Sequence, residues 1–143
     1  MVIDGGTTDG TLEILRAQQG RIAVLVSERD EGIYDALNKG LSHATGDVVG
    51  FLHSDDFFAH KGVLEKVAAA FAYPAVEAVY GDLDYVGRKD ESRVIRRWHS
   101  CMSSRRKVPC GWMRRHPTVS VLRDVAAELG RCDEGLRVCR ADD

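Results

Sequence analysis

At 143 residues, with 44% hydrophobic residues, 29% charged residues and three prolines, the chain has the composition of one ordinary folded domain, which excludes a disordered, collagen-like or coiled-coil protein. A net charge of -2 gives the molecule no global attraction to nucleic acid. No apolar run approaches the roughly 20 residues needed to span a bilayer, Met1 leads straight into Val2-Ile3-Asp4 without the basic head of a signal peptide, and the four cysteines contain no Cys-x-x-Cys pair, which speaks for reduced thiols in a cytosolic protein rather than a zinc ribbon.

Taken in chain order, strands and helices alternate. Val2-Ile3 reads as a short strand end, followed by the turn Asp4-Gly5-Gly6-Thr7. Thr8 or Asp9 then caps a helix whose apolar positions are Leu12, Ile14 and Leu15, with Gly20 at its C-terminus. Ile22 to Val26 is a continuous apolar run, as expected of a buried parallel strand. Ile33, Ala36, Leu37 and Leu41 fall at helical spacing and Gly46 follows as a stop, giving a second helix to about Ala44. Val48 to Leu52 is the next buried strand, Val63 to Phe71 a third helix, and Val76 to Tyr80 another strand. Tyr85-Val86 and Val94-Ile95 flank a polar turn and are expected to pair as a hairpin. Thr118 to Leu122 reads as a strand and Val125 to Leu129 as a short helix. The order predicts an α/β fold: a mostly parallel, Rossmann-like sheet with helices on both faces.

In such sheets ligands bind beyond the carboxyl ends of the strands. Two segments lie there. In Asp4-Gly5-Gly6-Thr7-Thr8-Asp9, glycines allow close backbone approach and the following helix start favours an anion; the alternative is a tight turn with a polar cap. His53-Ser54-Asp55-Asp56 places two adjacent carboxylates directly after an apolar strand. Their mutual repulsion calls for a cation or donors, and hard oxygen ligands beside a diphosphate suit Mg²⁺ or Mn²⁺. The alternative is that one aspartate caps the next helix and the other faces water. A third feature is basic: between Arg93 and His116 lie eight arginines and lysines and no acid. That stretch suits either a solvated surface loop or contact with a phosphate-bearing acceptor or anionic membrane.

The first of these segments, through Gly10-Thr11, is similar to the Asp-Gly-Gly-Ser-Thr-Asp-Gly-Thr motif of family-2 glycosyltransferases. Ser27-Glu28-Arg29-Asp30-Glu31-Gly32-Ile33-Tyr34-Asp35-Ala36-Leu37-Asn38-Lys39-Gly40 resembles their Ser-Glu-Pro-Asp-Lys-Gly-Ile-Tyr-Asp-Ala-Met-Asn-Lys-Gly segment. Ala44-Thr45-Gly46-Asp47, Ser54-Asp55-Asp56, Tyr80-Gly81-Asp82, Gly111-Trp112-Met113 and His116-Pro117-Thr118 continue the match in order. The resemblance covers nearly the whole chain.

It implies an incomplete glycosyltransferase A-type fold, one domain in which residues 1–92 bind the nucleotide sugar and 93–143 face the acceptor. The implied reaction is metal-dependent, inverting transfer from a nucleotide-diphosphate sugar to a glycan or lipid-linked acceptor, as in polysaccharide assembly. By the same likeness Asp4 contacts the base, Asp55 the ribose or donor sugar, Asp56 holds Mg²⁺ or Mn²⁺, and Asp82 lines the donor or acceptor pocket. His116 and Thr118 lie by the acceptor or diphosphate. Inversion needs a general base, which the family carries after its His-Pro-Thr region; here that is Asp142, in Arg140-Ala141-Asp142-Asp143. The expected location is the cytoplasm or the inner membrane face.

The chain departs from the family in two ways. It lacks the family's first apolar strand and its last helices, and Arg114-Arg115 stands where prolines are common. An exposed sheet edge, with self-association through it, is the expected consequence. A non-catalytic fragment or interaction module of the same fold is therefore the competing reading.

Overall fold

The computed structural model describes residues 1–100 and 118–128. The described chain forms two compact units, Met1–Asp47 with the helix that begins at Arg123, and Val48–Leu122.

In the first unit β1 (Val2–Asp4) pairs in parallel with β2 (Leu25–Ser27), in the register Val2↔Leu25, Ile3↔Val26 and Asp4↔Ser27. The register sets Asp4 beside Ser27 at the carboxyl ends of the two strands. Helix α1 (Thr11–Ala17) connects them. It starts at Gly10, whose φ of 92° no side-chain cap supports; Asp9 instead accepts the Thr11 N–H from one residue earlier, at 3.1 Å. The helix ends at Ala17, short of the expected Gly20. Gln18 donates to the Leu15 carbonyl at 3.0 Å, a tightened last turn, and a 3-10 turn (Gln19–Arg21) carries Gly20. Leu12 and Leu15 are half-buried, but Ile14 is 68% exposed. It belongs to no buried face, because positions 12 and 15 already define the inward stripe.

Helix α2 (Ile33–His43) packs on β1. Gly40 is buried there, and a β-carbon on it would stand 3.7 Å from Ile3 Cγ1. α4 (Arg123–Glu128) begins two residues before the expected Val125, with the Arg123 N–H donating to the Asp47 carbonyl at 2.8 Å, and it buries Ala126.

The second unit contains β3 (Val48–Gly50), α3 (Val63–Phe71), β4 (Ala78–Tyr80) and β7 (Val119–Leu122), with the hairpin β5 (Leu83–Gly87) and β6 (Asp90–Trp98). α3 turns Val63, Val67, Ala70 and Phe71 inward at helical spacing. β7 lies between β3 and β4 and runs antiparallel to both. β3 and β4 therefore run in the same direction without touching, as an α/β order of elements predicts. Hydrogen bonding itself is parallel only between β1 and β2 among the described strands. β7 takes the central place because its four residues, Val-Ser-Val-Leu, are shielded on both faces. The hairpin forms where expected, but longer: Tyr85 opposes Arg96, Val86 opposes Val94, and Leu83 reaches Trp98.

Candidate functional site

The first cluster is built at the ends of β1 and β2. Asp4 is buried, 7% exposed, yet charged, so its carboxylate must be satisfied. Ser27 Oγ donates to Oδ2 at 2.6 Å, Thr7 Oγ1 to Oδ1 at 2.8 Å, and the Thr7 N–H to Oδ2 at 3.3 Å. The Ser27 hydroxyl and then the Thr7 hydroxyl hold the Asp4 pKa below its ordinary value against the opposing effect of burial. Asp4 is thus a fixed, ionised acceptor at a strand end. Gly6 turns the chain away with φ of 82°.

Lys39 completes this unit. Its ammonium group reaches the Asp35 carboxylate at 3.1 Å, the Glu28 carboxylate at 3.2 Å and the Arg29 carbonyl at 3.0 Å. Burial acts to lower its pKa, but the hydrogen bonds to Asp35 and Glu28 outweigh it and leave the pKa raised.

In the second unit Asp55 and Asp56 follow β3 in a turn closed by the Asp56 N–H, which donates to the His53 carbonyl at 3.1 Å. Asp55 is exposed and Asp56 half-buried. Desolvation, and then the charge of Asp55, push the Asp56 pKa up, partly offset by His53. An open hollow of about 340 Å³ follows, lined by Phe58, His60, Lys61 and Leu64. Among the described residues no three His, Cys, Asp or Glu side chains converge on a metal position. Two adjacent carboxylates nevertheless fit a hard cation that takes its remaining oxygens from a diphosphate and water.

Asp82 stands at the open end of the β5–β6 hairpin. It accepts the Ser100 N–H at 2.7 Å and faces His99 Nδ1 at 3.1 Å, and the Ser100 hydroxyl donates to the Gly81 carbonyl. The Ser100 amide and then His99 lower the Asp82 pKa. Behind it Arg97 and Asp84 form a two-pronged ion pair at 3.1 to 3.3 Å, and the Arg96 guanidinium lies 4.7 Å from the centre of the Trp98 ring. Thr118 is half-buried immediately before β7. His116 and Asp142 lie outside the described residues.

The structure thus gives Asp4, Asp56 and Asp82 separate surroundings, each with its own partners. Reasoning from sequence missed Ser27 and Thr7 as partners of Asp4, His99 as the partner of Asp82, and Lys39 as the cation that joins Glu28 and Asp35. Ser27 and Lys39 stood in the quoted segment Ser27 to Gly40, and a role for Ser27 was open to inference from its place at a strand end.

Comparison with known proteins gives a consistent picture. Residues 1–130 match the family model described as Glycosyl transferase family 2. The chain is 40% identical over 72 residues to an uncharacterized glycosyltransferase of Mycobacterium tuberculosis, an alignment covering 50% of this chain and 28% of that protein. It is 36% identical over 87 residues to a PGL/p-HBAD biosynthesis glycosyltransferase of Mycobacterium bovis, covering 58% of this chain and 34% of that one. The chain therefore spans about a third or less of the length of these relatives. In fold it is similar to a mannosyltransferase from Pyrobaculum calidifontis solved in complex with GDP-Man and Mn²⁺, with a TM-score of 0.63 at 22% identity over 93% of this chain and 37% of that one. No described helix is long and apolar enough to cross a membrane.

Proposed function

The chain belongs to glycosyl transferase family 2, and on that premise we propose that it carries the donor-binding part of a metal-assisted, inverting glycosyltransferase acting on a nucleotide-diphosphate sugar. Residues 1–92 serve the donor and 93–143 the acceptor, a glycan or lipid-linked hydroxyl at the cytoplasmic face of a membrane. One observation carries the reading: Asp55 and Asp56 sit as adjacent carboxylates in a closed turn at the carboxyl end of β3, where an α/β sheet binds its ligand.

Each residue then has a task. Asp4, already ionised and oriented by Ser27 and Thr7, keeps acceptor capacity for a donor N–H of the base. Asp55, the more exposed of the pair, meets the ribose or donor sugar. Asp56 holds Mg²⁺ or Mn²⁺, which when bound supplies charge stabilisation to the diphosphate leaving group. Asp82 lines the donor or acceptor pocket, and His116 and Thr118 serve the acceptor or the diphosphate. Asp142 takes the proton of the acceptor hydroxyl as its oxygen attacks the anomeric carbon from the face opposite the diphosphate. The bond to the diphosphate breaks with its electron pair leaving on phosphate oxygen, and the anomeric configuration inverts. The similar mannosyltransferase, solved with GDP-Man and Mn²⁺, supports a divalent cation and a nucleotide-sugar donor here.

A second reading is an interaction module of the same fold that transfers no sugar, with Ile14, Leu64 and Ile95, 68%, 61% and 67% exposed on three separate elements, as single apolar side chains open to a partner.

Calorimetric titration with UDP and GDP, with and without Mn²⁺, separates the two. The donor-site reading expects metal-dependent binding that Asp56→Ala abolishes. A chain that is folded by circular dichroism and binds neither nucleotide overturns it.

A further inference from the structure

Among the described residues of the first unit Lys39 is a cation with three acceptors, and the sugar-transfer reading gives it no task. Its side chain is 21% exposed. The ammonium group has three N–H donors and three acceptors within 3.2 Å: the Arg29 carbonyl, Glu28 and Asp35. Two of them belong to the segment that leads from β2 into α2. Further bonds tie the same segment down. The Glu31 N–H donates to Asp35 Oδ2 at 3.0 Å, and the Gly32 N–H to Asp30 Oδ1 at 3.0 Å.

Residues 28–30 in turn form the floor under the turn that follows Asp4. The Glu28 N–H donates to the Asp4 carbonyl at 3.1 Å. A β-carbon on Gly5 would run into the Asp30 carboxylate, and one on Gly6 would stand 3.2 Å from the Arg29 nitrogen. The two glycines therefore lie close against residues 28–30: a methyl group on Gly5 would displace the Asp30 carboxylate, and one on Gly6 would press on the Arg29 backbone. A continuous mechanical path runs from α2 through the Lys39 ammonium to residues 28–30, and from there to Gly5, Gly6 and the Asp4 backbone carbonyl.

We propose that Lys39 is a positioning residue for the Asp4–Thr7 turn: it touches no ligand, but clamps residues 28–30 to α2 and so fixes the surface on which the turn, and the nucleotide it receives, is seated. The nucleotide half of this statement rests on the donor-site reading above. The clamp half stands on the contacts alone.

The test compares the whole chain with Lys39→Met, which keeps the aliphatic stem and removes every donor, and Lys39→Arg, which keeps the charge. Amide hydrogen exchange and Mn²⁺-dependent titration with UDP and GDP are read on all three. For Lys39→Met, exchange is expected to rise at Thr7, Glu28, Glu31 and Gly32 while Leu41, deeper inside α2, keeps its protection. Nucleotide affinity is expected to fall about tenfold, the effect of one lost hydrogen bond to a charged group, and Lys39→Arg to restore most of both. Unchanged exchange at Thr7 and Gly32 overturns the proposal, as does unchanged affinity in a wild-type chain that binds. If the wild-type chain binds no nucleotide, the donor-site reading fails by itself, and exchange at Thr7 still decides whether Lys39 seats the turn. If Lys39→Met does not fold, Lys39→Gln, which keeps a polar end too short to span all three acceptors, gives the same two readings.

Discussion

The hydroxyl of Ser27 donates to the carboxylate of Asp4 at 2.6 Å across the paired ends of β1 and β2. This bond is the largest influence on Asp4 and lowers its pKa. A carboxyl whose pKa is lower folded than unfolded adds stability that is fully present above the unfolded value and disappears as pH falls through the folded one. Ser27→Ala is therefore expected to destabilise the chain at neutral pH by about 1.5–3 kcal/mol, the range for a hydrogen bond to a charged group. The difference should vanish once the medium is acidic enough to protonate Asp4 in both proteins. Urea unfolding at neutral and strongly acidic pH checks this. An equal difference at both pH values would mean that the serine acts through packing.

Two glycines in the first unit should respond in opposite directions to the same substitution. Gly6 holds φ of 82° and backs onto Arg29 at 3.2 Å, so Gly6→Ala pays for both a left-handed backbone and a tight contact, about 1–2 kcal/mol. Gly40 lies inside α2, where a β-carbon would meet Ile3 at an ordinary 3.7 Å. Gly40→Ala should stabilise the chain by about 0.5–1 kcal/mol through helix propensity. Thermal midpoints of the two variants, measured side by side, test the pair.

Much of this fold was legible because its elements carry local signals. α2 and α3 show apolar residues at helical spacing, and the structure places them at Ile33–His43 and Val63–Phe71. What escaped was non-local. β7 enters between β3 and β4 in the reverse direction, and nothing in Val-Ser-Val-Leu encodes which neighbours it takes. β6 extends over nine residues although only Val94-Ile95 looked like strand, because residues 90–93 and 96–97 are charged or polar and exposed. In the candidate site the aspartates stood out as residue types at strand ends. Their partners did not: Ser27 lies 23 positions from Asp4, and His99 lies 17 from Asp82. Separations of that size become contacts only through sheet register.

The Asp82 clamp should hold the open end of the β5–β6 hairpin. Asp82→Ala removes the acceptor of the Ser100 N–H and the partner of His99, so exchange at the Ser100 amide should rise sharply while Val86 and Val94, further along the ladder, stay protected. In the wild-type chain the same protection should fade only when pH falls through the lowered Asp82 pKa, since the ionised carboxylate is the better acceptor. Exchange at Ser100 that ignores both changes would show that the hairpin end is held by its backbone alone.

Asp56 should behave in the opposite sense to Asp4. Desolvation, followed by the charge of Asp55, raises its pKa, so the folded metal-free chain binds its proton more tightly than the unfolded chain. Such a group loses stability as pH rises from the unfolded value through the folded one. Asp56→Asn removes the half-buried charge at neutral pH, and is expected to raise the thermal midpoint of the metal-free chain by an amount worth no more than about 1 kcal/mol, given partial solvent screening. The gain should shrink on acidification, as the wild-type carboxyl takes up its proton. Mn²⁺ with a nucleoside diphosphate should reverse the order, because a ligand that binds the folded state stabilises it by mass action and the asparagine offers it no charge. A variant that is less stable than the wild type without metal would mean that the Asp56 carboxylate is already satisfied by the protein, and that the turn after β3 has no unmet demand for a cation.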